Sequence, residues 1–285
     1  MTKIMAKIKR VYIEITNSCN LSCSFCMKHH RAPKMLSLDE FESILKEVKK
    51  ITPFIYLHVQ GEPLSHPRYN EILSLCDTYN MQVQLVTNGT FLSKHLDMIE
   101  HSSLRKVSIS LQSIEYQSID IDTYMNTLLT FINKCIEKNS PILEIRFWRN
   151  DQYDLPKTKK CMQVLENTYS FTLTERKNHY RISENAYIDF DNMFSWPTLD
   201  NPEALSNGTC LGAKTQIAIL SNGNVVPCCL DTDANVLLGN IFQDSLESIL
   251  QSESYLKIVK EFNDHKIQNP FCLRCTYRYR FLKQK

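Results

Sequence analysis

The chain has 285 residues, 43% of them hydrophobic, and its 33 Lys and Arg residues against 31 Asp and Glu residues give a formal net charge of +2. This composition favours a chain with a buried core over a disordered one, and the length suits one large domain, alone or with a small appendage. The charge is too small to indicate a nucleic-acid partner, and we expect none. Apolar runs such as residues 54–59 fall far short of the roughly 20 residues that cross a bilayer, so we expect no membrane association and a cytoplasmic protein.

Strand-like apolar runs alternate with amphipathic helical patterns along the first half of the chain. The predicted strands are Val11–Thr16, Phe54–Val59, Gln82–Thr87, Lys106–Leu111, Leu143–Trp148 and Ser170–Thr174. The predicted helices between them are Leu38–Lys50, Pro67–Tyr79, Ser93–His101, Asp122–Lys138 and Pro156–Asn167. This alternation implies right-handed crossovers and a parallel sheet. Six strands predict an α/β fold with a partial (β/α)6 TIM-like barrel, because a closed barrel needs eight.

The pattern changes after Thr174. Residues 176–209 are polar and irregular and are predicted to form a linker. The Asn222-Gly223 pair then separates the apolar runs Gln216–Leu220 and Asn224–Val226, which predicts a hairpin. Two short helices, near Leu246–Leu250 and Tyr255–Phe262, precede a cysteine-bearing tail. We therefore predict a barrel domain over residues 1–190 and a small α+β domain, with its linker, over residues 191–285.

Eleven cysteines are many for a reducing compartment, where disulfides are rare. Seven of them form two clusters, Cys19/Cys23/Cys26 and Cys210/Cys228/Cys272/Cys275. Clustered thiolates of this kind indicate ligands for a soft metal rather than disulfide bridges. Three others lie in predicted helices and are expected to be buried thiols: Cys76, Cys135 and Cys161.

The first cluster has the spacing C-x3-C-x2-C and follows the first predicted strand. Loops at the carboxyl ends of parallel barrel strands carry the active sites of such folds. A structural zinc or an electron-transferring cubane normally takes four protein ligands, whereas three thiolates leave one iron open. The alternative is a zinc knuckle completed by His29 or His30.

This loop, with Phe25 directly before the third cysteine, resembles the signature of the radical S-adenosylmethionine (SAM) superfamily. The resemblance implies that Cys19, Cys23 and Cys26 hold a [4Fe–4S] cluster whose open iron chelates the amino and carboxylate groups of SAM. One electron, from a donor such as flavodoxin or ferredoxin, would then cleave SAM to a 5′-deoxyadenosyl radical. The cofactor supplies this chemistry, and the protein supplies placement and shielding.

Further strand-end motifs agree with this resemblance. Gln60-Gly61-Glu62-Pro63 resembles the family's Gly-Gly-Glu-Pro turn, with Gln60 replacing the first glycine, and Thr87-Asn88-Gly89 resembles its Thr-Asn-Gly turn. The residues implied to contact SAM or to shape its site are Phe25, Gln60, Gly61, Glu62, Asn88, Ser110, Gln112 and Arg146. Arg146 has the alternative of a structural ion pair.

The second cluster reads C-x12-G-x4-C followed by C-x2-C. It resembles the Twitch domain, the shortened form of the SPASM extension, which implies one auxiliary [4Fe–4S] cluster held by Cys210, Cys228, Cys272 and Cys275. Cys229 is an alternative to its neighbour Cys228. A four-cysteine zinc ribbon would use the same ligands.

The substrate is less well determined by the sequence. Strand one begins so early that no peptide-recognition domain is expected before it, which favours a small molecule. Size and the sequence Leu57-His58-Val59-Gln60-Gly61-Glu62-Pro63-Leu64 resemble queuine lyase, which cuts the C–N bond between a deazapurine base and its cyclopentenediol. The alternatives are an aminocyclitol dehydrogenase, a peptide-modifying radical SAM enzyme and a non-catalytic iron–sulfur carrier. Candidate substrate contacts, which could instead be packing residues, are His58, Trp148, Glu184, Tyr187, Asp189 and Trp196.

Overall fold

The structure, a computed structural model, describes residues 7–149, 155–172, 174 and 177–282. The chain folds into two compact units, each built from separate stretches of sequence. The first unit comprises Met1–Ser18, Met27–Gly61 and Phe194–Lys285. The second comprises Cys19–Cys26 and Glu62–Met193. In the part of the chain that the structure describes, no helix has both the length and the apolar character needed to cross a bilayer.

Among the described residues of the first unit there are five strands, in the order β10-β9-β8-β1-β2. Strand β1 (Arg10–Ile13) pairs in parallel with β2 (Phe54–Tyr56) and also with β8 (Gln216–Ile219). The predicted Asn-Gly hairpin is confirmed, since β8 turns back into the antiparallel β9 (Asn224–Val226), which pairs with β10 (Gly239–Asn240). The C-terminal segment therefore extends the same sheet as the N-terminal strand.

Helix α1 (Leu38–Val48) shows how the sequence sets an element of this unit. Ser37 Oγ accepts from the backbone N–H of Glu40 while the Glu40 carboxylate accepts from the N–H of Ser37, a capping box that starts the helix. Its buried side chains recur at three- and four-residue spacing and form one apolar face: Phe41, Ile44, Leu45 and Val48. The other helices of the unit are α5 (Leu246–Ile249), α6 (Glu253–Asn263) and α7 (Pro270–Leu273).

The part of the second unit that the structure describes also has five strands, in the order β3-β4-β5-β7-β6. The four strands β3 (Gln82–Thr87), β4 (Leu104–Ser110), β5 (Ile142–Arg149) and β7 (Ala186–Asn192) are parallel, and β6 (His179–Arg181) is antiparallel to β7. The helices between them are α2 (Tyr69–Thr78), α3 (Ile121–Lys138) and α4 (Pro156–Tyr169). The predicted alternation of strands and helices is confirmed here.

Two predicted elements of this unit are wrong. The segment 93–101 forms two short 3-10 helices, Leu92–Lys94 and Leu96–Glu100, rather than one α-helix. The sixth parallel strand is not Ser170–Thr174, whose described residues form no strand: Ser170 ends α4 with a left-handed φ of 52°, and the N–H of Thr174 donates to the Tyr180 hydroxyl. Residue 173 lies outside the described residues.

Strand β7 is the parallel strand next to β5, in the position predicted for Ser170–Thr174. It lies within residues 176–209, which were predicted to form a linker. Its sequence AYIDFDN alternates apolar and polar residues, so one face can be buried while the other stays polar. The five-residue run from Ser170 is shorter, and its Phe171 ring instead packs against Tyr180. The predicted domain boundary after residue 190 falls two residues before the end of β7.

Candidate functional site

The three N-terminal cysteines lie together in the loop 19–26 of the second unit. The N–H of Cys26 donates to the carbonyl of Cys23 at 3.1 Å, which closes a tight turn, and the N–H of Leu21 donates to Cys19 Sγ at 3.4 Å. Burial, together with negative charge at Cys26 and Cys19, raises the pKa of Cys23 to about 12. Three thiols that disfavour each other's ionisation form a site suited to a cationic partner.

Asn88, at the end of β3, connects this loop to a buried carboxylate. Its amide Nδ2 lies 3.8 Å from Cys19 Sγ and donates to Asn20 Oδ1 at 3.0 Å. Its backbone N–H donates to Glu62 Oε2 at 2.7 Å, and Glu62 Oε1 accepts from Thr87 Oγ1 at 2.7 Å and from Leu64 N–H at 2.9 Å. Burial raises the pKa of Glu62 to about 7, against the opposing effect of these hydrogen bonds. The Glu62 side chain thus holds the turn that presents Asn88.

The backbone carbonyl of Asn88 is also held in place, by three hydrogen-bond donors. It accepts from Gln117 Nε2 at 3.0 Å, from Tyr124 Oη at 3.1 Å and from Ser113 Oγ at 3.3 Å. The next residue is Gly89, with φ +79°, and a Cβ at that position would overlap Tyr124 Oη. The glycine of the Thr-Asn-Gly turn is therefore required by its backbone conformation and by the close approach of Tyr124.

One face of the sheet in the second unit is polar. The register places Glu144 between Ser108 and Tyr187 on the neighbouring strands. In the same way Arg146 lies between Ser110 and Asp189, and Trp148 lies beside Asp191. The opposite face is buried and apolar, with Ile109, Ile145 and Ile188 in a row. Both faces of parallel sheets are normally apolar. We call the residues of the polar side the polar face: Lys106, Ser108, Ser110, Glu144, Arg146, Trp148, Tyr187, Asp189 and Asp191.

Charges on the polar face form a connected set. Glu144 accepts from Lys106 Nζ at 2.8 Å and from Ser108 Oγ at 2.5 Å; although burial raises its pKa, these bonds bring it below the ordinary value. Asp189 lies 2.5 Å from His179 Nδ1. Burial, followed by the negative charge of Glu144, raises the pKa of Asp189. A ligand that donates hydrogen bonds or carries positive charge would reduce the electrostatic repulsion between the Glu144 and Asp189 carboxyl groups.

An aromatic contact joins the cysteine loop to the polar face. The centroid of the Phe25 ring lies 6.5 Å from that of Trp148 and 5.7 Å from that of Tyr116, both in edge-on geometry. Ser24 forms a short hydrogen bond with the Tyr116 hydroxyl. The position before the third cysteine therefore lies directly against the strand that carries Arg146 and Trp148.

In the first unit, Gly61 and Gln60 end the segment that follows β2. Gly61 has φ +78°; a Cβ there would overlap the carbonyl oxygen of Thr16 and lie 2.9 Å from that of Ser18. Gln60 is 7% exposed, and its N–H donates to Glu14 Oε1 at 3.2 Å. Glu14 in turn forms a two-point ion pair with Arg31, at 2.6 and 2.7 Å. Gly61 is needed because the loop after β1 passes against its backbone.

The remaining predicted residues are dispersed. His58 packs edge-on against Tyr12, at 5.3 Å, and Trp196 packs against Phe194; both lie in the first unit. Glu184 is exposed and precedes β7, at the opposite strand end from Trp148, and only its carbonyl contacts Tyr187. The histidines of the zinc-knuckle alternative have other partners, His29 with the Asn17 carbonyl and His30 with Asp233.

The four C-terminal cysteines lie close together in the first unit. Burial raises the pKa of Cys228 well above its usual range, and the nearby sulfurs of Cys229, Cys210, Cys275 and Cys272 add to that effect. The N–H of Gly212 donates to Cys210 Sγ at 3.4 Å, and a Cβ on Gly212 would lie 3.5 Å from Cys228 Cβ. The segment around the hairpin thus brings Cys210 and Cys228 close together.

A single zinc ion and a cubane place different demands on thiolate ligands. Tetrahedral zinc with Zn–S bonds of about 2.3 Å needs sulfurs only about 3.8 Å apart. A cubane takes each thiolate at a different iron, so its ligands stand farther apart. Within residues 7–149, 155–172, 174 and 177–282, no three His, Cys, Asp or Glu side chains converge tightly enough to hold one metal ion.

Residues 13–138 match the radical SAM superfamily, and residues 210–276 match SPASM, described as an iron-sulfur cluster-binding domain. The chain carries a radical SAM domain and a SPASM domain. Its cofactors are [4Fe–4S] clusters and SAM, as the sequence predicts. The prediction of a radical SAM fold of the α/β class is likewise confirmed.

Relatives of this radical SAM enzyme include a protein of Methanococcus maripaludis, strain C7, named a probable GTP 3',8-cyclase. It is 24% identical over 93% of this chain and 97% of its own length. A GTP 3',8-cyclase of Clostridium perfringens is 30% identical, over 47% of this chain and 44% of its own length.

Several solved structures share the fold. BtrN in an open conformation aligns over 97% of this chain and 94% of its own, with TM-score 0.58 and 14% identity. The protein anSMEcpe with bound AdoMet aligns over 96% and 88%, with TM-score 0.59 and 16% identity. Streptococcus suis SuiB bound to its precursor peptide SuiA aligns over 96% and 76%, with TM-score 0.58 and 15% identity. At these identities the likeness establishes the fold.

The second unit of the radical SAM enzyme has features that suit SAM. Gln112 is 7% exposed, and its buried Oε1 has no hydrogen-bond partner among the described residues, so it is available to a ligand's donor. Ser110 and Arg146 lie side by side in register on the polar face. An Arg guanidinium there suits a carboxylate. The predicted residues Asn88, Ser110, Gln112 and Arg146 thus share one unit with the three cysteines and fit the cofactor.

Sequence reasoning missed several residues of these sites. Lys106 stands two residues before Ser108 on the same strand, so the two-residue repeat of strands could have placed it on the polar face. No such signal marked Tyr116 or His179 in the sequence. Tyr116 reaches Phe25 from a 3-10 helix, and His179 reaches Asp189 from the short strand β6, and neither element was predicted. Arg278, near the C-terminal cysteines, also carried no signal.

Proposed function

We propose that this radical SAM enzyme reductively cleaves SAM and removes a hydrogen atom from a small polar substrate held on the polar face. Cys19, Cys23 and Cys26 hold the cluster that, with bound SAM, supplies the 5′-deoxyadenosyl radical. The observation that carries the proposal is the contact of Phe25 with Trp148, which lies between the cysteine loop and the charged strand β5. A substrate on this face lies beside the place where the radical is generated.

Each neighbouring side chain has a part in this proposal. Asn88, fixed by Glu62, and Gln112 hold SAM by hydrogen bonds, while Arg146 binds its carboxylate. Phe25 and Trp148 form an aromatic wall that keeps water from the reacting carbon. Exclusion of water and of side reactants protects a radical intermediate.

Cys210, Cys228, Cys272 and Cys275 hold the auxiliary cluster in this proposal. A four-thiolate cluster in this unit is suited to transfer single electrons: it would accept one from the substrate radical, which is thereby oxidised, or pass one toward the first cluster. A flavodoxin or ferredoxin supplies the initiating electron. The polypeptide's task here is to keep the four thiolates buried and in place.

The polar face favours a substrate that donates hydrogen bonds. Glu144 and Asp189 are acceptors in close proximity, and the raised pKa of Asp189 shows that a second negative charge there is disfavoured. An amine, an amidine edge or a diol satisfies such acceptors, and Trp148 offers a ring for stacking. Queuine combines a planar aminopyrimidinone, a secondary amine and a diol, so cleavage of its C–N bond is our lead reaction.

Cyclisation of GTP is the second candidate. It is favoured by the relative from Methanococcus maripaludis, a probable GTP 3',8-cyclase, because the match to this chain covers 97% of the relative's length. A triphosphate needs several cations, however, and on the polar face Lys106 is already engaged with Glu144. Oxidation of an aminocyclitol or of a peptide stays open as a third type of reaction.

The test is anaerobic reconstitution with iron and sulfide, followed by SAM, dithionite and one candidate substrate at a time. The substrates are queuine, GTP, 2-deoxy-scyllo-inosamine as an aminocyclitol, and a cysteine-containing peptide. Transfer of deuterium from labelled substrate into 5′-deoxyadenosine identifies the true one. Label transfer from GTP alone would replace the lead by the second candidate, and no SAM cleavage despite intact clusters would overturn the proposal.

Two variants separate the clusters. Cys23→Ala is expected to abolish SAM cleavage, because two thiolates cannot hold the first cluster. Cys275→Ala should retain part of the SAM cleavage but lose product. Cys161→Ala, which removes a buried helical thiol outside both groups, is the matched control and should keep both activities. Normal product formation by Cys275→Ala would contradict the role of the auxiliary site.

A further inference from the structure

Arg278 is a buried cation beside the C-terminal cysteines. It lies in the 3-10 helix Thr276–Phe281, three residues after Cys275, and is 2% exposed. Among the described residues, Arg278 is the largest of the fully buried side chains. Arg is among the residues least often buried without a charged partner, so its position calls for an explanation.

The hydrogen bonds of Arg278 go only to neutral acceptors. Its Nη1 donates to the carbonyls of Cys272 at 2.7 Å and Leu205 at 2.9 Å, and its Nη2 donates to that of Asn207 at 2.7 Å. Its Nε is buried and has no partner among the residues described. No described carboxylate lies within ion-pair distance of it. A buried charge without a counterion is strongly unfavourable.

The nearest candidate counterion is the group that the cysteines would hold. Arg278 Nη1 donates to the carbonyl of Cys272 at 2.7 Å, and the backbone N–H of Arg278 donates to the carbonyl of Cys275 at 3.4 Å. The guanidinium is therefore anchored to the backbone of the terminal C-x2-C segment. A [4Fe–4S] cluster with four thiolate ligands carries a net negative charge, and net charge near the cluster sets its reduction potential.

We propose that Arg278 is the buried counterion of the auxiliary cluster and raises its reduction potential. This inference rests on the proposed ligand set Cys210, Cys228, Cys272 and Cys275. Reduction adds one negative charge to the cluster, so a fixed cation in a site of low dielectric constant stabilises the reduced form more than the oxidised form. Arg278 is thus a positioning and tuning residue that makes the auxiliary cluster a better electron acceptor.

The test is a redox titration of the auxiliary cluster alone, followed by electron paramagnetic resonance. The parent protein carries Cys19→Ala, Cys23→Ala and Cys26→Ala, which removes the first cluster and leaves about four irons per chain. Into it are introduced Arg278→Met, Arg278→Lys and the control Arg280→Met. Arg280 lies in the same 3-10 helix but is exposed and lies over the Tyr277 ring at 4.6 Å.

We expect Arg278→Met to lower the equilibrium constant for one-electron reduction about tenfold, which is about 59 mV. Arg280→Met should leave it within about twofold, because solvent screens an exposed charge. Arg278→Lys keeps the charge and loses the forked hydrogen bonds, and should stay within about threefold of the parent. Arg278→Gln removes the charge but keeps hydrogen-bond donors, so it should also lower the constant about tenfold, and it replaces Arg278→Met if that variant cannot hold the cluster.

Three outcomes would overturn the inference. The first is an equal potential for Arg278→Met and Arg280→Met. The second is a shift for Arg278→Lys as large as the tenfold expected for Met, since the carbonyl bonds and not the charge would then be responsible. The third is a parent protein without any cluster, which would also overturn the ligand assignment; the first two leave that assignment intact.

Discussion

The backbone N–H of Asn88 donates to the buried carboxylate of Glu62 across 2.7 Å, while the Asn88 amide lies 3.8 Å from Cys19 Sγ. Two turns far apart in sequence are thereby locked together within the second unit. A carboxylate that accepts three hydrogen bonds in a buried site defines the position of its donors. Glu62 therefore acts on the cysteine loop through Asn88.

Replacing Glu62 by Gln should disturb this link. The amide keeps the shape but turns one acceptor into a donor, so at least one of the three donors loses its partner, at a cost of about 1–3 kcal/mol in unfolding free energy. We also expect about tenfold weaker SAM binding, because Asn88 is no longer held. Urea unfolding and equilibrium binding of SAM measure the two effects. Glu71→Gln, at an exposed position, is the control, and equal behaviour of the two variants would contradict the link.

The two turn glycines should respond differently to alanine. Gly89→Ala places Cβ against the Tyr124 hydroxyl, whereas Gly61→Ala places it against the backbone carbonyl of Thr16. Both also bear the cost of a left-handed φ, about 1 kcal/mol. We expect Tyr124→Phe to recover part of the thermal stability lost in Gly89→Ala, since it removes the overlapping atom. No second substitution can relieve Gly61→Ala in this way. Absence of recovery in the Gly89/Tyr124 double variant would show that backbone strain alone is responsible.

Much of the site was predictable because short motifs report local chemistry. The spacing of Cys19, Cys23 and Cys26 and the glycines at 61 and 89 are set by ligand geometry and by backbone conformation, which the sequence shows directly. Strand periodicity likewise placed Arg146 and Trp148 on one face. The polar strand β7 was missed because it lies within a polar, irregular segment. Its alternation of apolar and polar residues extends over only seven residues, too few to stand out from the linker-like composition around it. Arg278 could not be predicted, since its burial depends on how the tail folds back onto residues 205–207.

Asp189 should impose a pH dependence on stability. Burial raises its pKa in the folded protein above the unfolded value. The folded state therefore binds the proton more tightly, and the contribution of Asp189 to stability is greatest at pH values below both pKa values and is lost as pH rises through the folded pKa. Asp189→Asn should remove this part of the slope in thermal unfolding as the pH rises above the ordinary Asp pKa of 3.8. An unchanged slope in the variant would contradict the shift.

The same substitution should affect the substrate more than SAM. Because Asp189 is proposed to accept hydrogen bonds from the substrate, Asp189→Asn should raise KM for the substrate about tenfold or more. The dissociation constant of SAM should change by less than about threefold, since Arg146 and Gln112 are untouched. Asp97→Asn, at an exposed position in the 3-10 helix Leu96–Glu100 and outside the polar face, is the control. A loss of SAM binding equal to the loss in KM would place Asp189 in the cofactor site instead.

Trp148 should couple SAM cleavage to product formation. Its ring contacts Phe25 at a centroid distance of 6.5 Å and shares β5 with Arg146. Trp148→Ala opens the proposed aromatic wall, so water reaches the reacting carbon and the substrate loses a stacking surface worth about 1–3 kcal/mol. We expect 5′-deoxyadenosine to form at near the original rate while product falls about tenfold or more, which is measured as the ratio of product to 5′-deoxyadenosine by chromatography. Trp148→Phe keeps an aromatic ring and should recover most of that ratio, and a ratio unchanged in Trp148→Ala would mean that the substrate binds elsewhere.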